Sequence, residues 1–144
     1  MRPVFIVFVV LCVFLVSSMA PLSAHAGPER FASLVVHADS GVVLHQENAQ
    51  ESRYPASLTK MMTLYLAFDA LRKRNLRFNQ YLPVSPRAAA QPRLSLGLKR
   101  GSKITVRDAV NSVSVHSAND SAVVLAEAIA GSEWRFVQRM NRTA

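Results

Sequence analysis

The chain has 144 residues, half of them hydrophobic, and its 17 Lys and Arg against 9 Asp and Glu give a formal net charge of +8. The single cysteine, Cys12, excludes a disulfide scaffold, and the scattered arginines lack the interleaved aromatic residues of a nucleic-acid-binding surface. A basic surface of this kind fits an anionic wall polymer or a membrane surface, and it fits equally a solvated surface that has no partner.

The first 26 residues have the pattern of a secretory signal peptide. Met1-Arg2 supplies a basic start, residues 4–16 are all apolar, and the segment ends in Ala24-His25-Ala26. The apolar core is shorter than the roughly 20 residues that span a bilayer, which favours cleavage after Ala26 over an uncleaved anchor. We therefore expect residues 27–144 to be exported to the periplasm as a single domain.

Two short strands are predicted next, at residues 31–37 and 42–45. Both runs are rich in apolar residues, and Asp39-Ser40-Gly41 between them has turn chemistry. The two strands should pair as a hairpin. A lone hairpin is marginal in water, so this one needs further strands or a helix to be stable.

A long helix is predicted at residues 57–74. The residues that follow position 60 are nearly all apolar, which is typical of a buried helix. Residues 75–104 contain several prolines and glycines and are predicted to be irregular, with short helical turns.

Three helices are predicted in the C-terminal part of the chain. Thr105 followed by Asp108 is a variant of the capping box and predicts a helix that ends near residue 115. A second helix is predicted at residues 120–130, closed by Gly131, and Ser132 is expected to cap the third.

The motif with the clearest chemistry is Ser57-Leu58-Thr59-Lys60. A serine and a lysine three residues apart on a helix lie on one face, so the amine can reach the hydroxyl. A serine hydroxyl is a weak nucleophile at neutral pH without an adjacent base. The bare pattern also occurs as a capped helix with a solvated lysine. The apolar residues after Lys60 favour a functional pair, because burial lowers a lysine pKa towards that of a general base.

Together with Ser117-Ala118-Asn119, this motif resembles those of the serine-type D-alanyl-D-alanine carboxypeptidases, the low-molecular-mass penicillin-binding proteins of peptidase family S11. The resemblance runs from about residue 31 to the end of the chain, through the hairpin at residues 39–44 and the segment 125–141. It implies an α+β, β-lactamase/transpeptidase-like fold, in which an antiparallel sheet is flanked by helices and a helical subdomain carries the Ser117 segment. The family's Lys-Thr-Gly motif does not occur in the sequence, so residues 27–144 are similar to the N-terminal portion of a catalytic domain, incomplete at the C-terminus.

The resemblance implies roles for four side chains. Ser57 would be the nucleophile that attacks a D-Ala-D-Ala peptide bond and forms an acyl-enzyme, with Lys60 as the candidate general base. Ser117 would relay a proton to the leaving amine, and Asn119 would bind the peptide backbone of the substrate. His116 is expected to be a turn or packing residue. No metal or other cofactor is expected.

Three functions are consistent with these motifs. The leading hypothesis is a periplasmic carboxypeptidase that acts on peptidoglycan stem peptides and is acylated by β-lactams, with this chain weakly active or inactive alone. The alternative is a non-catalytic remnant that binds wall peptides or a partner chain, because the Lys-Thr-Gly motif that binds the substrate carboxylate is absent. The third and least favoured, a class A β-lactamase fragment, would need a deacylating glutamate on a loop after the Ser117 segment, and the sequence ends too soon to show such a loop.

Overall fold

The structure is a computed structural model that describes residues 31–92 and 94–144, so the signal peptide expected at residues 1–26 lies outside the described residues. The chain divides into two compact units, Met1–Arg53 and Tyr54–Ala144. All four side chains expected to carry the chemistry belong to the second unit.

The described part of the first unit forms an antiparallel hairpin of β1 (Ser33–Val36) and β2 (Val43–Glu47). The cross-strand pairs are Ser33 with Glu47, Leu34 with Gln46, Val35 with His45 and Val36 with Val43. The turn is closed by a hydrogen bond of 2.8 Å from His37 N to Val42 O. Gly41 in this turn has a φ of +70°, which only glycine adopts without strain. The predicted hairpin is confirmed, and its second strand ends two residues later than expected.

The second unit is mainly helical. In chain order its elements are a 3-10 turn (Ala56–Leu58), α1 (Thr59–Arg72), β3 (Tyr81–Pro83), α2 (Pro86–Ala89), β4 (Lys103–Thr105), α3 (Val106–His116), α4 (Asn119–Ala130) and α5 (Glu133–Thr143). The four long helices lie where the sequence predicts them, and each boundary that was predicted is within two residues of the observed one. None of the helices among residues 31–92 and 94–144 is long and apolar enough to span a bilayer.

The helix boundaries of α3, α4 and α5 are set by local capping. The Thr105 hydroxyl accepts a hydrogen bond of 3.1 Å from Asp108 N, and the Ser132 hydroxyl accepts one of 3.2 Å from Arg135 N. Gly131 ends α4 with a φ of +79°. These three caps are confirmed as the sequence predicts them, because a cap depends only on residues within one helical turn.

The structure differs in part from the irregular segment that the sequence predicts at residues 75–104. β3 and β4 pair antiparallel, with Leu82 opposite Ile104 and both side chains buried in the core. Each strand has only three residues, too few for an alternating pattern to be visible in the sequence. Pro83 lies at the end of β3, where the lack of a backbone N–H has little effect on the hydrogen bonds between the strands.

The core of the second unit is built around α4. Val124 and Leu125 of this helix are almost fully buried, and α4 packs against α1, α2, α3, α5 and β3. α3 adds a buried face of Val106, Ala109, Val110 and Val113. Because α4 begins at Asn119, the Ser117-Ala118-Asn119 motif is anchored to the most buried helix.

One face of α1 is exposed, which corrects the expectation of a helix buried on all sides. Thr63, Leu66, Ala67 and Ala70 are buried, whereas Met61, Tyr65 and Phe68 are between 50% and 68% exposed. The exposed residues recur at helical spacing and therefore form one apolar stripe, called here the α1 stripe. A uniformly apolar sequence cannot show which face of a helix its neighbours cover.

Candidate active site

Ser57 lies in the 3-10 turn that leads directly into α1. The turn is closed by a hydrogen bond of 3.0 Å from Leu58 N to Pro55 O. Ala56, which precedes the serine, has a left-handed φ of +47°, a conformation that costs a non-glycine residue about 1–2 kcal/mol. The side chain of Ser57 is exposed. Its hydroxyl is therefore open to a substrate at the N-terminal end of a helix.

Lys60 lies in the first turn of α1, one helical turn after Ser57. Its side chain is half-buried. Burial disfavours the charged ammonium and lowers the pKa of the Lys60 amine below its ordinary value. A larger fraction of this amine is therefore neutral near physiological pH than for an exposed lysine, and only the neutral amine can accept a proton.

Ser117 lies at the C-terminal end of α3 in a left-handed conformation, with a φ of +54°. The following residue, Ala118, donates its N–H to Ser112 O at 3.2 Å, which closes the end of the helix. In this conformation the Ser117 hydroxyl donates a hydrogen bond of 3.0 Å to Ser57 Oγ. Two serines that are 60 residues apart in the sequence thus share one hydrogen bond. The neighbouring His116 is exposed.

Asn119 is the first residue of α4, two residues after Ser117. Its side-chain amide donates to Pro92 O at 3.2 Å, and its backbone N–H donates to Leu94 O at 2.7 Å. Both acceptors belong to the loop that precedes β4. The amide is therefore held in a defined orientation against this loop.

Asp120 is a buried side chain of the site to which the motif pattern assigns no role. It is 1% exposed, and its carboxylate accepts hydrogen bonds from the backbone N–H groups of Leu96, Leu98 and Ser121 at 3.2, 3.1 and 2.8 Å. The sequence does contain a signal for it. Asn119-Asp120-Ser121 is a polar run that opens an otherwise apolar helix, but an acidic residue there is also an ordinary helix-start residue.

A sequence model described as D-alanyl-D-alanine carboxypeptidase, of peptidase family S11, matches residues 23–144. The carboxypeptidase DacF of Bacillus subtilis is 34% identical to the chain over 116 residues, which is 81% of this chain and 30% of DacF. DacC of Escherichia coli is 36% identical over 108 residues, 71% of this chain and 27% of DacC. The chain thus spans less than a third of the length of these two relatives.

Solved structures show the same relationship. The structure of the carboxypeptidase DacD from Francisella tularensis matches with a TM-score of 0.73 and 33% identity, over 81% of this chain and 28% of that one. Penicillin-binding protein D2 from Listeria monocytogenes, solved in a cefotaxime-bound form, matches with a TM-score of 0.65 and 29% identity, over 78% and 44% of the two chains. The expected β-lactamase/transpeptidase-like fold is confirmed over the part that this chain spans. By sequence and by fold, the chain belongs to the D-alanyl-D-alanine carboxypeptidase family of serine peptidases.

Proposed function

We propose that the protein is a serine-type D-Ala-D-Ala carboxypeptidase that removes the terminal D-alanine of peptidoglycan stem peptides through an acyl-enzyme on Ser57. The observation that carries the proposal is the hydrogen bond of 3.0 Å between the Ser117 and Ser57 hydroxyls, in a unit where the pKa of Lys60 is lowered. The family membership supports the same chemistry. Because the chain spans about 30% of its relative DacF, the proposal concerns these residues within a whole catalytic domain.

Acylation begins with attack by Ser57. Since the Ser117 hydroxyl donates to Ser57 Oγ, the proton of Ser57 itself is available to another acceptor. The neutral amine of Lys60 takes this proton while Oγ attacks the carbonyl carbon of the D-Ala-D-Ala bond. Backbone N–H groups at the start of α1 and the positive end of the helix dipole stabilise the negative charge that develops on the carbonyl oxygen.

Collapse of the tetrahedral intermediate breaks the bond to the terminal D-alanine. The nitrogen of the leaving group needs a proton, and the Lys60 ammonium holds the one that it took from Ser57. A hydroxyl that both donates and accepts can pass this proton along. Ser117 is placed to do this because it already contacts Ser57 Oγ. Water then hydrolyses the ester on Ser57, which releases the shortened stem peptide and restores the serine hydroxyl.

Asn119 is assigned to substrate binding. Its amide is oriented by the hydrogen bond to Pro92 O and lies two residues from Ser117. An oriented amide group can pair with the backbone N–H and C=O groups of a peptide, whereas a mobile one would lose entropy on binding. The role assigned to Asn119 is therefore to align the stem peptide with Ser57.

β-Lactams are proposed as inhibitors that acylate the same serine. The Listeria relative was solved in both a cefotaxime-bound and an ampicillin-bound form.

We place the reaction in the periplasm, supported by the apolar run at residues 4–16 and the Ala24-His25-Ala26 site.

The test is covalent labelling of a chimera that joins the full chain to the C-terminal remainder of Bacillus subtilis DacF. After exposure to a labelled penicillin and proteolysis, we expect the label on the peptide that contains Ser57, and Ser57→Ala should remove it. Ser114→Ala is the matched control, because the Ser114 hydroxyl donates within α3 to Val110 O and should leave labelling unchanged. Label on a peptide without Ser57, or label that survives Ser57→Ala, would refute the proposal.

A further inference from the structure

The buried carboxylate of Asp120 has no part in the reaction steps derived above. A carboxylate is costly to remove from water unless hydrogen bonds replace its hydration. Asp120 meets this requirement entirely through backbone donors. Oδ1 accepts from Ser121 N at 2.8 Å and from Leu96 N at 3.2 Å, and Oδ2 accepts from Leu98 N at 3.1 Å. Two of these three donors belong to a loop more than 20 residues away in the sequence.

The same loop is also held by Asn119. The side-chain amide of Asn119 donates to Pro92 O, and its backbone N–H donates to Leu94 O at 2.7 Å. Adjacent residues at the start of α4 therefore bind one loop through opposite chemistry, Asp120 as the acceptor and Asn119 as the donor. The loop carbonyls can orient Asn119 only if the loop itself is fixed, and the carboxylate of Asp120 fixes it.

We propose that Asp120 is a positioning residue, whose buried carboxylate holds the loop containing Leu94, Leu96 and Leu98 so that this loop orients Asn119 for the substrate. The inference rests on the proposed function, since the role of Asn119 belongs to it. Asp120 does not touch the reacting atoms. It acts through the loop and Asn119.

Asp120→Asn tests the proposal with little change in shape. The amide keeps one acceptor oxygen and replaces the other with an NH₂ donor that faces a backbone N–H, so at least one of the loop hydrogen bonds is lost. In the DacF chimera we expect faster hydrogen exchange in peptides that contain Leu96 and Leu98. We also expect acylation by labelled penicillin to slow by about 100-fold, the scale of a misplaced binding group.

Asp108→Asn is the matched control. Asp108 is also an acidic residue in the first turn of a helix, but it is exposed and pairs with Thr105. This variant removes the same charge and should leave both the exchange of the loop and the acylation rate unchanged.

A double-mutant cycle with Asn119→Ala distinguishes positioning from a general loss of structure. If Asp120 acts through Asn119, Asp120→Asn should change the acylation rate by less than about 3-fold once Asn119 is alanine. A covalent label accumulates, so slow rates remain measurable. If Asp120→Asn lowers the acylation rate by the same factor with alanine at position 119 as with asparagine, the proposal is overturned. Partial unfolding would give this result, because it would lower the rate equally in both backgrounds.

The two readouts separate this inference from the proposed function. Unchanged exchange at Leu96 and Leu98 in Asp120→Asn overturns the inference whatever the acylation rate. Faster exchange in a chimera that is not labelled at Ser57 refutes the proposed function and, with it, any positioning role in that reaction. The hold of Asp120 on the loop would then be structural alone.

Discussion

Lys60 occupies a position that disfavours its own charge. Its side chain is half-buried, which lowers the pKa of the amine, and the positive end of the helix dipole at the start of α1 acts in the same direction. The folded protein therefore binds a proton at this site less tightly than the unfolded chain does. The protonated lysine lowers the free energy of unfolding at neutral pH. This destabilisation diminishes as the pH rises towards the ordinary pKa of lysine.

This reasoning gives a prediction for Lys60→Ala in the DacF chimera. Acylation should be abolished, because no neutral amine remains to accept the Ser57 proton. The melting temperature at pH 7 should be unchanged or higher, because a desolvated cation has been removed. In the unmodified chimera the acylation rate should rise with pH, with an inflection below the ordinary pKa of lysine. The measurements are label incorporation against pH and thermal unfolding.

Lys99→Ala is the control for this prediction, since Lys99 is exposed and lies outside the site. It should alter neither the rate nor the melting temperature. Wild-type acylation by a folded Lys60→Ala variant would remove Lys60 from the mechanism.

The residues of the site are predictable from the sequence to different degrees. Ser57 and Lys60 form a local pattern, so their placement one helical turn apart follows from helical spacing alone. The contact between Ser57 and Ser117 depends on how α1 packs against α3, and only the resemblance indicated it in advance. Asp120 directly follows the Ser117-Ala118-Asn119 motif in the sequence, but its hydrogen-bond partners Leu96 and Leu98 belong to a loop without a sequence pattern of its own.

Among the four long helices, α5 alone has a single buried side chain. Phe136 is 2% exposed and packs with Leu66 of α1 and Ala126 of α4, whereas much of the remaining surface of α5 is polar. Asp69 of α1 adds an ion pair of 3.5 Å to Arg139 of α5. The apolar contact is the larger contribution, because partly exposed ion pairs add about 1 kcal/mol or less.

We therefore predict that Phe136→Ala lowers the free energy of unfolding by about 3–5 kcal/mol, as for other fully buried phenylalanines. Trp134→Ala, on the same helix but 71% exposed, should change it by less than about 1 kcal/mol. Urea unfolding of the two variants in the DacF chimera is the measurement. Equal losses in the two variants would show that α5 is not anchored through Phe136.

Some secondary-structure elements are predictable from the sequence, and others are not. The caps of α3 and α5 were predicted because each lies within four residues of the chain. The sequence does not predict the β3–β4 pair, because its strands lie about 20 residues apart and each is stabilised by pairing with the other. Turn residues in that segment were correctly recognised, but they do not reveal which strands the turns connect.

At the scale of the whole molecule, the chain contains the proposed nucleophile, Ser57, but it is much shorter than its relatives. It spans 30% of DacF and 28% of the Francisella DacD structure. The α1 stripe of Met61, Tyr65 and Phe68 leaves a large apolar surface in contact with water. A catalytic serine also needs positioning groups for the substrate around the reacting carbonyl.

We predict that the 144-residue chain alone releases little or no D-alanine from a D-Ala-D-Ala peptide, and that it tends to self-associate through the α1 stripe. Release of D-alanine should equal that of its Ser57→Ala variant. Size-exclusion chromatography reports the association. Turnover clearly above the variant, from a monodisperse protein, would show that these residues form a working enzyme by themselves.

The left-handed backbone of Ser117 favours one residue type for stability and another for the proposed reaction. A φ of +54° is costly for serine and nearly free for glycine, so folding alone would favour glycine there. Glycine has no hydroxyl, and the contact with Ser57 Oγ would be lost. Under the proton-relay role proposed for Ser117, selection for a more robust fold and selection for turnover act in opposite directions on this residue. Mutations that raise thermal tolerance should accumulate elsewhere in the chain before they reach it.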